Sequence, residues 1–174
     1  EEGADLLDIG AESTRPGAEP VAPELQIARI VPVIETLRAE SNIPISVDTQ
    51  SAFVADAALQ VGADIVNDIS ALESSPQLGE VVAGHGAGLI LMHKRGTPRS
   101  MQTDTVYEDL IGEVQRYLRE RIKTACDAAV EEGRIWIDPG IGFGKSPEGN
   151  LELIGRITEF DSLGRPVVVG ASRK

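Results

Sequence analysis

The chain has 174 residues and a formal net charge of −12, from 16 Lys and Arg against 28 Asp and Glu. This length suits one domain with a substantial core, and the negative charge argues against broad binding to nucleic acid or to anionic membranes. The single cysteine excludes an internal disulfide framework, and no apolar run is long enough to span a membrane, so we expect a cytoplasmic protein.

Short apolar runs alternate with helical patterns along the chain. Strands are predicted at 5–10, 43–47, 65–66, 88–92, a run that ends at Asp138, and 166–170. Helices are predicted at about 23–40, 51–61, 77–84, 107–132 and 151–160. We expect Thr49 to cap the second of these helices, because a hydroxyl before a helix can accept a hydrogen bond from its first turn.

The strands are continuous apolar runs, which is typical of a parallel sheet with both faces covered. A (β/α)8 barrel and an open doubly wound sheet both fit this pattern. No Gly-rich dinucleotide fingerprint follows any strand, whereas polar residues follow every strand, which favours the barrel. We therefore predict an α/β protein, a TIM (β/α)8 barrel truncated to about six strands. Residues 1–174 would form a single partial domain that lacks one strand before Glu1 and one after Lys174.

The fifth predicted strand leads into an unusual loop. It ends at Asp138, Pro139 then blocks its continuation, and Gly140, Gly142 and Gly144 follow in alternation. These glycines allow a sharp turn and a close approach to a ligand. The P-loop and dinucleotide spacings are absent, so an ordinary strand-to-helix turn with a capping Asp is an equally good interpretation.

Polar side chains at strand ends form the strongest functional pattern. They are Asp8, Asp48, Asn67, Asp138 and Lys174. In a barrel these ends converge on one mouth, where they would supply acceptors, a mixed amide and a cation. Such a set suits a flat heterocycle, because one carboxylate can accept both N–H groups of a guanidine-like edge.

Two loops add hydroxyls and cations that could hold a phosphate or a carboxylate. They contribute Thr14 and Arg15 in the first loop, and Ser172, Arg173 and Lys174 at the end of the chain. Taken singly, Arg15 and Arg173 could equally be solvated surface charges.

Other candidates have structural explanations. Asp8 and Asp68 could be hydrogen-bonding residues beneath the mouth, and core packing is the default role for Met92 and Phe143. His93 follows a strand but has no evident nucleophile as a partner, so we favour a structural hydrogen bond for it.

Together these motifs resemble the dihydropteroate synthase family, in the family's order and over the whole chain. The matching segments are 3–17 (GADLLDIGAESTRPG), 45–49 (ISVDT), 66–69 (VNDI), 91–93 (LMH), 138–145 (DPGIGFGK) and 170–174 (GASRK). The most specific pieces are Glu-Ser-Thr-Arg-Pro-Gly and Ser-Arg-Lys. The family often has Gly where Ala11 stands here.

The resemblance implies an enzyme of folate biosynthesis that joins 4-aminobenzoate to (7,8-dihydropterin-6-yl)methyl diphosphate, giving 7,8-dihydropteroate and diphosphate. By match of motif, the pterin would be held by Asp48, Asn67, Met92, Asp138 and Lys174. The diphosphate and 4-aminobenzoate would be bordered by Thr14, Arg15, Phe143, Ser172 and Lys174. The catalytic residues would be Asp48, Asp138 and Lys174, in an SN1-like substitution.

The same resemblance implies Mg2+ as cofactor, with no metal ligand in this chain, sulfonamides as competitors of 4-aminobenzoate, and a homodimer at full length. It places a metal-binding Asn and diphosphate-contacting Arg and His residues on strands that this chain lacks. We therefore expect the chain alone to be poorly stable and inactive, since open sheet edges would remain.

Three alternatives stay open. A pterin-binding methyltransferase domain shares the barrel and the strand-end Asp, Asn and Asp, but should lack the Glu-Ser-Thr-Arg-Pro-Gly and Ser-Arg-Lys motifs. A non-catalytic pterin-binding module would bind without transfer. A Schiff-base aldolase would need a lysine nucleophile at a strand end, for which Lys174 is the candidate.

Overall fold

The computed structural model describes residues 3–13, 19–96 and 105–171. The strands are β1 (Leu7–Gly10), β2 (Ile45–Asp48), β3 (Ile65–Asp68), β4 (Gly88–Met92) and β5 (Ile135–Asp138). The helices are α1 (Pro23–Glu40), α2 (Ala52–Gln60), α3 (Leu78–His85), α4 (Leu110–Asp127) and α5 (Pro147–Gly155), with 3-10 turns at Glu132–Arg134 and Ile157–Leu163.

The five strands form one parallel sheet in the order β1-β2-β3-β4-β5, which is also their order along the chain. A doubly wound sheet reverses its strand order at a switch point, whereas a barrel adds each strand beside the preceding one. The predicted α/β class is therefore confirmed, and the sequential order is that of a (β/α)8 barrel.

The predicted sixth strand is reduced to a single bridge within the described residues. Val167 pairs with Ile137, and two hydrogen bonds hold the pair, Ile137 N to Pro166 O and Val168 N to Ile137 O. The next rung of a parallel ladder would need an N–H from Pro139, which proline lacks. The strand predicted at 166–170 is therefore wrong in length but right in position.

The helix predicted at 151–160 begins earlier, at Pro147, and is followed by a 3-10 turn. The Ser146 side chain accepts a hydrogen bond from Gly149 N at 3.0 Å, and Pro147 occupies the first turn. A serine cap before a proline is a strong helix start, so the sequence held a signal for this boundary.

The cap of α2 is Ser51, whose hydroxyl accepts a hydrogen bond from Val54 N at 3.4 Å. Thr49 was the predicted cap, and that prediction is wrong. Its hydroxyl lies two residues too early and accepts a hydrogen bond from Ser51 N at 3.2 Å instead. Thr49 therefore stabilises the turn between β2 and α2 and not the helix itself.

The main core lies between the sheet and α1, α2 and α3. One face of the sheet supplies fully buried apolar side chains to it: Ile45, Val47, Val66, Leu89, Leu91 and Ile135. Since aromatic residues are scarce, aliphatic side chains fill most of this layer. A second cluster joins Ile137 to α4, α5 and Phe160. The other face of the sheet carries both polar and apolar side chains, the apolar ones including Ile90 and Met92.

At the amino end of the sheet, Arg38 joins three segments. Its guanidinium donates to Gly62 O and Ile43 O, each at 2.6 Å, and pairs with Asp64, which also accepts from Ile45 N at 2.8 Å. An arginine held in this way can stabilise a fold by more than a surface ion pair does.

We expect Arg38→Ala to lower the free energy of unfolding by about 2 kcal/mol, because two carbonyls and one carboxylate lose their donor. Urea denaturation measures it. Arg134→Ala is the control, since Arg134 forms an exposed pair with Glu131 and should change stability by no more than about 0.5 kcal/mol. Equal effects of the two variants would contradict the special role of Arg38.

Candidate functional site

Four of the predicted pterin-binding residues share one face of the sheet. Asp48 is in register with Asn67, Asn67 with Ile90, and Met92 with Asp138. Residues in register on parallel strands point to the same face, as do residues two apart on one strand. Asp48, Asn67, Met92 and Asp138 therefore form a row across the carboxyl ends of β2 to β5, opposite the helix-covered face.

The first strand adds Asp8 and Gly10 to this face. Gly10 is in register with Asp48, and a Cβ on Gly10 would lie 3.3 Å from Asp48 Cβ, so a small residue keeps this end of the row open. Asn67 Nδ2 donates to Asp8 Oδ2 at 3.2 Å. This hydrogen bond turns the amide nitrogen of Asn67 toward Asp8, so the amide oxygen points away from Asp8.

The Asp48 carboxyl group lies in surroundings that disfavour its ionised form. Burial raises the pKa of Asp48 to about 7, and the negative charges of Asp8, Asp68 and Glu12 add to the effect. Carboxyl groups with raised pKa values are typical of binding and catalytic sites. A ligand that donates hydrogen bonds to Asp48 would relieve this unfavourable environment of the ionised form.

Asp68, next to Asn67, has a structural role. Its carboxylate accepts from Ser70 N at 2.7 Å, from the Ser70 hydroxyl at 2.7 Å and from Leu72 N at 2.6 Å. It is fully buried and shapes a turn in which Ala71 and Leu72 adopt positive φ angles of 49° and 69°. The structural alternative considered for Asp68 is confirmed.

The loop after β5 is packed directly onto the segment after β4. Asp138 O accepts from His93 N at 2.8 Å, and Asp138 Oδ1 accepts from Gly140 N at 2.7 Å. Gly140 has a φ of +71°, and a Cβ there would lie 1.8 Å from His93 O. The glycine is required both for its backbone conformation and for the lack of space.

Lys145 is the residue that sequence reasoning missed. It is only 5% exposed, and its Nζ donates to Gly140 O and Phe143 O at 2.9 Å each and lies 2.9 Å from His93 Nδ1. The sequence shows only that the loop motif ends in a lysine, between Gly144 and the Ser146 cap. No pattern within the loop predicts that this lysine turns inward.

His93 itself has the structural role predicted for it. Besides its contact with Lys145, its ring packs edge-on against Tyr117, with ring centroids 4.9 Å apart. Burial lowers the pKa of His93 to about 2, with the charges of Lys145 and Arg95 adding to the effect, so the ring is neutral.

Met92 and Phe143 occupy different surroundings. Met92 is buried at the end of β4, and Phe143 is half-buried in the turn after β5. Four predicted site residues lie outside the described residues: Thr14, Arg15, Ser172 and Lys174. Arg173 lies outside them as well.

The described residues do not build a metal site of their own. Within 3–13, 19–96 and 105–171, no three His, Cys, Asp or Glu side chains are close enough to hold a metal ion. Mg2+ often binds through one or two carboxylates together with substrate phosphates, so carboxylates of the row could only supplement a ligand's oxygens. No helix in the same ranges is long and apolar enough to cross a membrane.

A parallel sheet in sequential order, with carboxylates and an amide gathered at its carboxyl ends, defines the α/β barrel class, whose members bind ligands at the strand ends. Comparison with known proteins is more specific. Residues 1–174 match the family described as pterin binding enzyme. The chain belongs to this family.

Several proteins similar to this chain are dihydropteroate synthases. The chain is 48% identical over 172 residues to a dihydropteroate synthase of Synechocystis, covering 99% of this chain and 60% of that protein. A crystal structure of the Yersinia pestis dihydropteroate synthase with a sulfonamide drug complex superposes with a TM-score of 0.94 at 37% identity, covering 99% of this chain and 62% of that one. A Xanthomonas albilineans dihydropteroate synthase with 4-aminobenzoic acid gives a TM-score of 0.92 at 44% identity, covering 99% and 61%.

The chain therefore spans about three fifths of the length of the proteins it matches. Because the similarity extends over 99% of the chain, it includes the sheet, the row of Asp48, Asn67, Met92 and Asp138, and the loop after β5.

Proposed function

We propose that the protein containing this chain is a dihydropteroate synthase, which joins 4-aminobenzoate to (7,8-dihydropterin-6-yl)methyl diphosphate in folate biosynthesis. The observation that carries the proposal is the row of Asp48, Asn67, Met92 and Asp138 on one face of the sheet. The similarity to dihydropteroate synthases, one of them with 4-aminobenzoic acid, supports it.

A pterin fits the chemistry of this row. The ring is flat, and its edge presents N–H donors beside acceptors, as a guanidine fused to an amide does. Asp48 and Asp138 supply acceptors, Asn67 supplies both a donor and an acceptor, and Met92 supplies an apolar contact for a ring face. Asp138 Oδ1 accepts a hydrogen bond from Gly140 N at 2.7 Å, which orients this carboxylate at the end of β5.

The proposed reaction breaks the bond between the pterin methylene carbon and the diphosphate oxygen, and the bond electrons leave with diphosphate. The amine nitrogen of 4-aminobenzoate then donates its lone pair to the methylene carbon, and the new C–N bond loses one amine proton to solvent. In an SN1-like course, positive charge develops on the pterin methylene. The carboxylates of Asp48 and Asp138 would stabilise that charge.

The part of the site that would bind the anionic diphosphate and 4-aminobenzoate is proposed from the sequence motifs. Thr14 and Arg15 would lie near the diphosphate and the 4-aminobenzoate, and Phe143, Ser172 and Lys174 would border the 4-aminobenzoate, with Lys174 also reaching the pterin. Mg2+, the proposed cofactor, would neutralise negative charge on the departing diphosphate when bound. Sulfonamides would compete for the 4-aminobenzoate subsite.

A direct assay tests the function. The protein at the length of its curated relatives would be given the dihydropterin diphosphate, Mg2+ and labelled 4-aminobenzoate. We expect labelled dihydropteroate, which decreases with a sulfonamide and with removal of Mg2+ by EDTA. Pterin binding without product would contradict the proposal and favour a binding module or a methyltransferase, which a methyltetrahydrofolate assay distinguishes.

We expect the affinity for a pterin to rise with pH up to about 7 and then to level off. In the free protein Asp48 is mostly protonated below its pKa of about 7, and it must ionise to accept two N–H donors. Affinity should therefore increase by about tenfold per pH unit between about pH 5 and pH 7. Calorimetric titration with a pterin measures it.

Asp48→Asn provides the control, because asparagine does not titrate. Its affinity should be weak and nearly independent of pH over this range. A slope that persists in Asp48→Asn would assign the titration to another group.

The remaining parts of the proposal concern the whole protein. Its substrates are small molecules, a cytoplasmic location fits the single Cys126, and a homodimer is expected at full length. Sedimentation of the full-length protein tests the dimer.

A further inference from the structure

Lys145 is buried more completely than lysines usually are, and its ammonium group is surrounded by as many acceptors as it has N–H donors. Gly140 O, Phe143 O and His93 Nδ1 each lie 2.9 Å from its Nζ. An ammonium has three N–H donors, so these three acceptors satisfy all of them. Burial lowers the pKa of Lys145 to about 7, and the charge of Asp138 opposes this shift. The neutral His93 ring can accept through Nδ1, which makes Lys145 the donor at every contact.

These acceptors come from two different segments. Gly140 and Phe143 belong to the loop after β5, whereas His93 follows β4 and lies 52 residues from Lys145 in the chain. The Nζ atom therefore links the loop to the neighbouring strand end. Buried charge-assisted hydrogen bonds of this kind are stronger than neutral ones and tolerate little displacement.

A second link holds the same loop from the other side. Tyr107 OH donates to Gly144 O at 2.8 Å, and the Arg95 guanidinium lies over the Tyr107 ring, 4.2 Å from its centroid. Lys145 and Tyr107 thus both anchor the loop, and Lys145 does so beside Asp138, at Gly140.

The link to Asp138 passes through one peptide unit on each side of Gly140. Gly140 N donates to the Asp138 carboxylate at 2.7 Å, and Gly140 O accepts from Lys145 Nζ. At the far end of the loop, Phe143 O accepts from the same Nζ. One buried nitrogen therefore restrains both ends of the loop.

We propose that Lys145 is a positioning residue, which fixes the loop after β5 against His93 and so aligns Asp138, at the end of β5, and Phe143, within the loop, for the pterin and 4-aminobenzoate subsites. This inference rests on the proposed function. Lys145 touches neither substrate in this assignment. It acts through the Gly140 peptide on Asp138 and through the backbone of Phe143.

The test replaces Lys145 with methionine, which keeps the length and apolar stem of the side chain and removes its donors. We expect pterin affinity and kcat/KM to fall by about 100-fold, because a displacement of about 1 Å in a reacting group has effects of that size. Hydrogen–deuterium exchange without substrate should accelerate in peptides covering 139–145, while peptides from α1 and α2 stay unchanged.

A double-mutant cycle with Asp138→Asn separates positioning from general destabilisation. If Lys145 acts through Asp138, then the loss of pterin affinity in the double variant will be clearly smaller than the sum of the two single losses. Additive losses, or wild-type affinity in Lys145→Met, would overturn the proposal. Lys123→Met is the matched control, since Lys123 forms only an exposed pair with Asp127 on α4 and should change neither readout.

If Lys145→Met does not fold, Lys145→Gln takes its place, because its amide has only two N–H donors on a side chain one bond shorter, so at least one of the three acceptors loses its donor. Pterin affinity should then fall, and exchange at 139–145 should accelerate, by less than in Lys145→Met but measurably. The two proposals fail in different ways. A wild-type protein that binds no pterin refutes the proposed function, and unchanged exchange at 139–145 in the folded variant refutes the role of Lys145 whatever the reaction is.

Discussion

Asp138→Asn is expected to lower kcat/KM by about 1,000-fold, the largest effect of any single change in this site. Asparagine has the same shape and can still accept from Gly140 N, so the loop should keep its conformation. Its NH2 group, however, would face the N–H donors of the pterin, and the negative charge opposite the developing cation would be lost. Steady-state kinetics and calorimetric pterin binding measure the two losses separately.

The control for this variant is Asp161→Asn, which changes an exposed carboxylate in the last 3-10 turn and should leave both constants as in the wild type. If Asp138→Asn bound and turned over the pterin diphosphate normally, then the carboxylate would have neither the binding nor the electrostatic role assigned to it.

Gly140→Ala is expected to lower the free energy of unfolding by about 4 kcal/mol. The added Cβ would lie 1.8 Å from His93 O, so the loop or the segment after β4 must move. In addition, alanine disfavours the φ of +71° at this position. Urea denaturation measures the loss of stability. Pterin affinity should fall as well, because Gly140 N donates a hydrogen bond to Asp138.

Gly164→Ala separates the effect of the steric contact from the effect of the positive φ angle. Gly164 has a similar φ of +66°, but a Cβ there has nothing within 4 Å. It should therefore lose only the conformational part, about 1 kcal/mol. Equal losses in the two variants would mean that the contact with His93 O is relieved at no cost.

The parallel sheet was predictable because each strand is a short apolar run followed by a polar residue. β4 was placed within its observed bounds, Gly88–Met92, and the sequential order agrees with the barrel interpretation. The sixth strand was overestimated. Apolar residues continue to Gly170, but pairing also needs an N–H from the neighbouring chain segment, and Pro139, directly after β5, has none.

The row of site residues was predictable for the same reason. Asp48 and Asp138 end their strands and Asn67 is the last residue but one of β3, and in a parallel sheet such ends meet at one edge. Lys145 was not predictable, because its position depends on His93, which is remote in sequence. The raised pKa of Asp48 was not predictable from the sequence either, since it comes from burial and from the charges of residues on other segments.

The sequential order of the strands also bears on how the chain folds. Each strand bonds to the strand that precedes it, so every new pairing closes a loop of only a few tens of residues. The entropy of loop closure grows slowly with loop length, and no pairing has to wait for a distant part of the chain. The sheet can therefore grow in the order of synthesis, with each strand using the edge of the last one as its template. Such growth leaves one temporary edge at the newest strand, where charged residues such as Asp138 would hinder pairing with other chains.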